Sequence, residues 1–386
     1  MLSVRLCFAP ILLIIIAQPL APIPVSVELQ DGVSRYPLGR YISILDDRNA
    51  TLTINDVLTP EIADKFVRSE RKIPNISAAD SAIWVRFAVD APPSFDDGLY
   101  LEIAYSYFDR IELYFQTNDG AYLSKITTYQ MPFSSRAILH RYFVYDLGSQ
   151  PGTRQFYYLR IMSEVSIQLP LTLWTHRSFL EKNNTEQLLL GILFGMMIVM
   201  VFYNFFIFLS LKDKVYLYFV LFLASYVIFQ LIYTGLAFQY LWPRHPIIAA
   251  FSIFFFDPLS NVFLLLYLMK FLDAKIKMPL LSKLLFAIIV LQLVEPIIAI
   301  VSAHAASYYL FYQGIFVVVL FLSASLIALL KGMRIARVLL VAWIFPLLAT
   351  LLEILSEINL LPRSPLSYYY SAIASALLVV LLYIRA

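Results

Sequence analysis

The sequence predicts a membrane protein in which an exported all-β, jelly-roll-like sandwich precedes a seven-helix transmembrane α-bundle. Three observations carry this fold class. The second half of the chain is a series of seven apolar blocks, the middle of the first half reads as short alternating strands, and the N-terminus reads as an export signal. The composition agrees: 60% of the 386 residues are hydrophobic and the mean hydropathy is +0.75, too apolar for a soluble chain of this length.

Residues 1–21 open the chain as a targeting segment. Arg5 gives a positive n-region, Leu6 to Ala17 an apolar stretch of signal-peptide length, and Ala17 or Ala21 a small residue for cleavage. The competing reading is an uncleaved eighth helix, against which the short run and Pro10 both argue. Cys7 is the only cysteine and leaves with a cleaved signal, so neither disulfides nor thiolate chemistry is expected in the mature chain.

Residues 22–180 are expected to form the exported domain. Ile83 to Val89 alternates Ile, Val, Phe and Val with Trp84, Arg86 and Ala88, which predicts a half-buried strand. Similar runs span Leu99 to Tyr105, Arg110 to Gln116, Tyr122 to Thr127, Ile138 to Tyr145, Phe156 to Met162 and Ser166 to Trp174. Asn118-Asp119-Gly120 is a hairpin turn signal, and one short helix is expected near Pro60 to Arg68. Close-spaced strands broken by Pro and Gly suggest a jelly roll.

Residues 181–386 hold the bundle, with spans at Leu188–Ser210, Val215–Phe238, Ile247–Phe271, Leu280–Ser302, Tyr308–Leu330, Val338–Ile358 and Leu366–Ile384. Each is about 20 residues, the length a helix needs to cross hydrocarbon, where the backbone must satisfy its own hydrogen bonds. Loops after the odd spans carry Lys212, Lys214, Lys270, Lys275, Lys277, Lys283, Lys331, Arg334 and Arg337; those after the even spans carry only Arg244 and Arg363. Retention of positive charge therefore places the first set in the cytoplasm, the N-terminal domain outside and Ala386 inside. The basic residues are dispersed among these loops and the net charge is only +3, so nucleic acid is not an expected partner. The polar stretch Arg177 to Glu186 joins the sandwich to the first span closely enough to transmit a shift.

Candidate ligand-binding residues lie on the sandwich: Trp84 and Arg86 on one side of a strand, with Tyr105 and Tyr107 on a neighbour. Aromatic faces stack on sugar rings and Arg offers planar donors. The competing reading is that Trp84 is core, since tyrosine is abundant here and strand tryptophans usually pack inward. Intramembrane polar candidates are Asn204, Asp257, Glu295 and Glu353, some beside Pro258, Pro296 and Pro346. An ionised group in a span is costly, so each must face protein or water, as a proton relay, ion site, polar hinge or simple interhelical bond. Gly191 and Gly195 form a Gly-x-x-x-Gly pair for close helix contact, within the bundle or in a homodimer. His140, His176, His245 and His304 are scattered without metal-ligand spacing; no phosphate loop or nucleophile elbow occurs, so no enzyme, metal or cofactor is expected.

The runs Ser81 to Phe87, Asp109-Arg110-Ile111-Glu112-Leu113-Tyr114, Leu159-Arg160-Ile161, Leu169-Pro170-Leu171-Thr172-Leu173-Trp174 and Phe202 to Asp213 carry a resemblance. In their order, the chain resembles the bacterial seven-transmembrane receptors with diverse intracellular signalling modules, in the class with the second type of extracellular domain. Ile83 departs from the family's frequent aromatic at that position, and no output module follows span seven. The resemblance implies a sensor in the bacterial inner membrane that binds a small ligand, such as a carbohydrate, in its periplasmic sandwich. It implies further that the helices relay this to a kinase, cyclase or similar cytoplasmic effector, here expected either on a separate chain or on a part of the protein that continues past Ala386. The alternative is a transporter or integral-membrane enzyme using the intramembrane carboxylates, although no internal repeat of the kind common in transporters is evident.

Overall fold

In a computed structural model the chain is described over residues 26–76, 81–106, 108–117, 120–128, 130–149, 151–163 and 167–333, with scattered residues between 337 and 355. The export signal, Tyr107, Glu353 and the seventh span lie outside the described residues, and the sixth span is described only at isolated helical positions.

Among the described residues the N-terminal half has thirteen strands: β1 (Ser26–Glu28), β2 (Arg35–Pro37), β3 (Ser43–Asp47), β4 (Val67–Arg68), β5 (Asn75–Ile76), β6 (Ala82–Asp90), β7 (Leu99–Ile103), β8 (Arg110–Gln116), β9 (Tyr122–Thr128), β10 (Phe143–Gly148), β11 (Arg154–Met162), β12 (Ile167–Gln168) and β13 (Leu171–Thr175). Two short helices, α1 (Ile54–Val57) and α2 (Pro60–Ala63), lie between β3 and β4. A larger sheet runs β4-β3-β6-β11-β8-β9, with β1 parallel to the far part of β6. A smaller antiparallel sheet runs β10-β7-β13-β2. Period-two alternation builds the core between them: Ile83, Val85 and Phe87 of β6 and Leu159 and Ile161 of β11 meet Leu101, Ile103, Leu171 and Leu173 of the other sheet. The expected 166–174 strand is divided into β12 and β13, and Pro170, which cannot donate to a ladder, sits at the division. At the hairpin after β8, Gly120 takes φ +85° and donates its N–H to the Thr117 carbonyl at 2.9 Å.

The expectation that β6 is half-buried is corrected. Both of its faces are covered, because residues 52–66 fold over the outer face of the larger sheet. Thr53 caps α1 in a reciprocal pair with Asp56, Pro60 opens α2, and Leu52, Ile54, Val57, Ile62 and Phe66 close over Leu45, Trp84 and Tyr158 as a second core. Trp84 is 0% exposed and Arg86 lies with its guanidinium 4.3 Å from the Phe66 ring centroid.

The helical half begins without a break. β13 ends at Thr175, whose side chain accepts the Ser178 N–H, and α3 (His176–Leu211) runs from there as one 36-residue helix through the first span. It turns at Lys212, in the left-handed region at φ 54°, and Asp213 caps α4 (Lys214–Tyr233). After Thr234-Gly235 come α5 (Leu236–Tyr240), α6 (Pro246–Phe251), α7 (Ile253–Phe271), α8 (Ala274–Lys277), α9 (Pro279–Gln292), α10 (Glu295–Val301) and α11 (Ala303–Leu330). Among the described residues five helical spans, 176–211, 214–233, 253–271, 279–301 and 303–330, are long and apolar enough to cross a membrane. The expected third and fourth spans are each divided, at Ser252 between α6 and α7 and at Leu293-Val294 between α9 and α10. Pro296 at the start of α10 lacks the N–H that would continue the ladder. Among the described residues, large apolar side chains of α3 such as Val199 and Phe206 are exposed.

Candidate functional site

Three residues from the runs that carry the family likeness, Trp84, Arg160 and Glu112, lie in one row across the larger sheet. Leu45, Trp84, Arg160 and Glu112 are cross-strand partners on β3, β6, β11 and β8. Glu112 is held by Arg110 at 2.5 Å, by Arg160 at 3.3 Å and by the Tyr114 hydroxyl, while Arg160 donates to the Ala50 carbonyl at 2.7 Å. Burial and the neighbouring carboxylate push the Tyr114 hydroxyl up to about 12. Thus Ile111 and Leu113 fill the inter-sheet core, and Arg110, Glu112 and Tyr114 clamp the outer face.

This placement locates the predicted ligand residues. Trp84 and Arg86 share a side of β6, as expected, but that side is enclosed by the 52–66 segment and presents no exposed face; the expectation of an exposed aromatic surface there is corrected. Tyr105 packs its ring 4.9 Å from Phe108, against the inter-sheet core, so it does not join Trp84. Tyr107 is outside the described residues.

An open cleft lies elsewhere, on the flank of the sandwich, lined by Phe115, Gln116, Lys125, Asp146, Gln155 and Tyr157. Lys125 projects over the Phe115 ring at 5.3 Å. Asp146 is among the lining residues, its backbone carbonyl accepting from Lys125 Nζ at 3.2 Å, and its carboxylate reaches Nε2 of His176, the first residue of α3, at 3.3 Å. The His176 ring in turn stacks on Tyr100 of β7 at 4.0 Å.

From His176 onward the outer face of the smaller sheet docks on the helices. Arg141, its side chain 1% exposed, pairs with Glu186 at 2.8 Å; Glu186 also meets Lys182 at 3.2 Å, and Lys182 pairs with Glu102 of β7. Trp174 completes this ladder by donating its indole N–H to Glu102 at 2.9 Å. His140 packs edge-on against Phe179, and burial, with the Lys182 and Arg141 charges, pushes its imidazole down to about 3, so it is neutral. Arg136 donates to the carbonyls of His140 and Arg141 at 2.7 and 3.0 Å and faces the rings of Phe143 and Phe238; burial lowers it to about 10. The turn after α4 closes the junction. The Phe133 N–H donates to the Pro243 carbonyl at 2.8 Å, and Gly235, at φ +79°, sits where a Cβ would fall 2.8 Å from Ser106 Oγ. The connection after span two therefore lies on the sandwich side. The connections after spans three and five meet each other through Lys331 Nζ and the Lys277 carbonyl, 3.1 Å apart.

Sequence reading missed these junction residues. Glu102, Arg141, Lys182 and Glu186 are dispersed over 85 positions and each looks like an ordinary surface charge. The available signal was Trp174 in a family run directly before the first span.

Within the helices, Asn204 is buried and donates to the Met200 carbonyl at 2.9 Å, a local bond within α3. Asp257 and Glu295 are brought together. Asn261 donates to Asp257 at 3.1 Å, and Gln313 of α11 donates to Glu295 and also lies in hydrogen-bonding range of Asp257. Glu353 is outside the described residues.

Two family descriptions match the chain. Residues 186–384, half of the chain, match "7TM diverse intracellular signalling", and residues 39–175 match "7TMR-DISM extracellular 2". No curated protein matches the chain.

Proposed function

Because this chain belongs to the seven-transmembrane receptors with diverse intracellular signalling, and is a transmembrane sensory receptor with an extracellular N-terminal domain, we propose how its sandwich and helices divide the work. A small polar ligand, a carbohydrate by the chemistry of the cleft, binds at Phe115, Lys125, Asp146, Gln155 and Tyr157. The Phe115 ring, over which Lys125 now lies, supplies the face a sugar stacks on when it displaces that side chain, and Lys125 and Gln155 supply hydroxyl partners. The observation that carries this reading is the position of Asp146, whose backbone carbonyl accepts from Lys125 of the cleft at 3.2 Å and whose carboxylate meets His176 at the head of α3 at 3.3 Å. A ligand that draws Lys125 away from Asp146 shifts this residue against His176 and re-sets the ladder below it.

Since α3 is continuous through the first span, a change at its head is carried to its far end at Lys212 as motion of one rigid element. The output is then a changed affinity of the basic far-side loops for a cytoplasmic effector, in a bacterial inner membrane with the C-terminus inside. The ligand shifts the helix arrangement only as far as its affinities for the two arrangements differ. The test is a panel of mono- and oligosaccharides against the full chain in detergent, read as thermal shift. A binder should raise the unfolding midpoint of the wild type and lose that effect in Lys125→Ala. A binder unaffected by this substitution removes this cleft from the account.

A second reading, ion-coupled transport, is favoured by one observation: spans three and four are broken beside Asp257 and Glu295. Substrate flux into vesicles holding the purified chain alone would establish it; sealed vesicles without flux leave the receptor reading.

A further inference from the structure

The intramembrane cluster has more acceptors than donors. Glu295 is 0% exposed, and among the described residues its Oε1 has no hydrogen-bond partner; the same is true of Oε1 of Gln313 and of Gln292, both more than nine-tenths buried. The donors nearby are spent: Gln313 Nε2 on the other Glu295 oxygen, and Asn261 Nδ2 on Asp257. Neither carboxyl has a Lys, Arg or His ion-pair partner among the described residues. Bare oxygens and an uncompensated carboxylate in a low-dielectric interior are both strongly unfavourable.

A proton on Glu295 would supply one donor and leave the Gln313 amide oxygen unmatched. A small hard cation satisfies several oxygens at once. With one carboxyl of the pair holding its proton, the remaining carboxylate and the neutral oxygens suit a single positive charge. We propose that Glu295, Gln313 and Asp257 form an intramembrane site for a monovalent cation of sodium's size.

The three residues come from α10, α11 and α7, which pack on one another, and two of those helices start at the breaks in spans three and four. Occupancy therefore ties together the segments whose backbones are interrupted. It locks one arrangement of the bundle.

The experiment measures thermal unfolding of the full chain in phosphatidylcholine nanodiscs, in sodium, potassium and choline chloride at equal ionic strength. The wild type is expected to unfold roughly 2–4 °C higher in sodium than in choline, the shift for a site held near ten times its Kd. Glu295→Gln and Gln313→Leu should each abolish that difference; if Glu295→Gln does not insert, Gln313→Leu carries the comparison. Equal wild-type midpoints in sodium and choline overturn the proposal, as does a sodium shift that survives in the variants. Stabilisation that follows acidification and ignores the cation means a shared proton instead, and overturns it too.

Discussion

Glu186→Gln removes the one carboxylate that Arg141 and Lys182 share, and the consequence can be worked from the geometry. Arg141 is enclosed, with its side chain 1% exposed, and its ion pair with Glu186 is 2.8 Å long. Breaking a buried pair by removing one partner costs about 3–5 kcal/mol, because the other charge is left uncompensated. Two features lower this figure here: Lys182 keeps Glu102, and the Gln amide oxygen still accepts from the guanidinium. About 2–3 kcal/mol of docking free energy is therefore lost, and at about 1.4 kcal/mol per decade the protection of the α3 head should fall roughly 30- to 150-fold. Hydrogen–deuterium exchange of the full chain in nanodiscs, followed at the amides of Leu180 to Gln187, reads this directly. The control is Arg177→Gln. It breaks an exposed pair with Glu181, 89% and 66% exposed, and should move exchange little. Exchange in Glu186→Gln that matches this control would refute the ladder as the clamp between sandwich and helices.

Three further predictions follow from the same structure. Gly235→Ala forces an alanine to φ +79° and a Cβ to within 2.8 Å of Ser106 Oγ, so the full chain should lose at least about 1–2 kcal/mol and its unfolding midpoint should drop by a few degrees. His140 is held neutral in the folded chain, its imidazole pushed down to about 3, whereas the unfolded chain binds a proton below about pH 6.5. Its contribution is thus intact above pH 6.5 and is lost as pH falls from 6.5 toward 3, by roughly 1.4 kcal/mol per pH unit; in His140→Phe, stability measured from pH 7 to pH 5 should decline less steeply. Trp84→Ala empties the second core beneath α1 and α2 and should cost about 3–5 kcal/mol, seen as early cleavage near residues 52–66 in limited proteolysis; cleavage unchanged from wild type would contradict the covering role of that segment.

The parts of this fold legible in the sequence are those with a strong period. Twenty apolar residues in hydrocarbon have one outcome, so five of the spans appear where expected. Long alternating runs such as Ile83 to Val89 became β6, β8 and β11. Strands β1, β2, β4 and β5 escaped because two or three residues carry no period, and sheet pairing alone recruits them. The outer face of β6 was misread for a related reason. Alternation reports which residues share a side, but not that a distant segment around Val57 and Phe66 will cover Trp84. Asp257 and Glu295 stood out because charge is rare in a span, whereas Gln313, which joins them, is neutral and sits in an ordinary apolar helix. The break at Leu293 precedes Pro296, already visible in the sequence, whereas Pro258 lies inside α7, six residues past the break at Ser252. The Arg141–Glu186–Lys182–Glu102 ladder is a product of tertiary docking and has no local signature.

The central claim is that a ligand on the sandwich changes the far ends of the helices. The most direct measurement is the distance between spin labels at Leu211→Cys and Ile276→Cys, two exposed positions beyond the first and third spans, in a Cys7→Ser background, with and without a saccharide that stabilises the chain. The account predicts a shifted distance distribution that returns to the unliganded form in Asp146→Asn. A saccharide that binds the sandwich and leaves the distribution unchanged would contradict it.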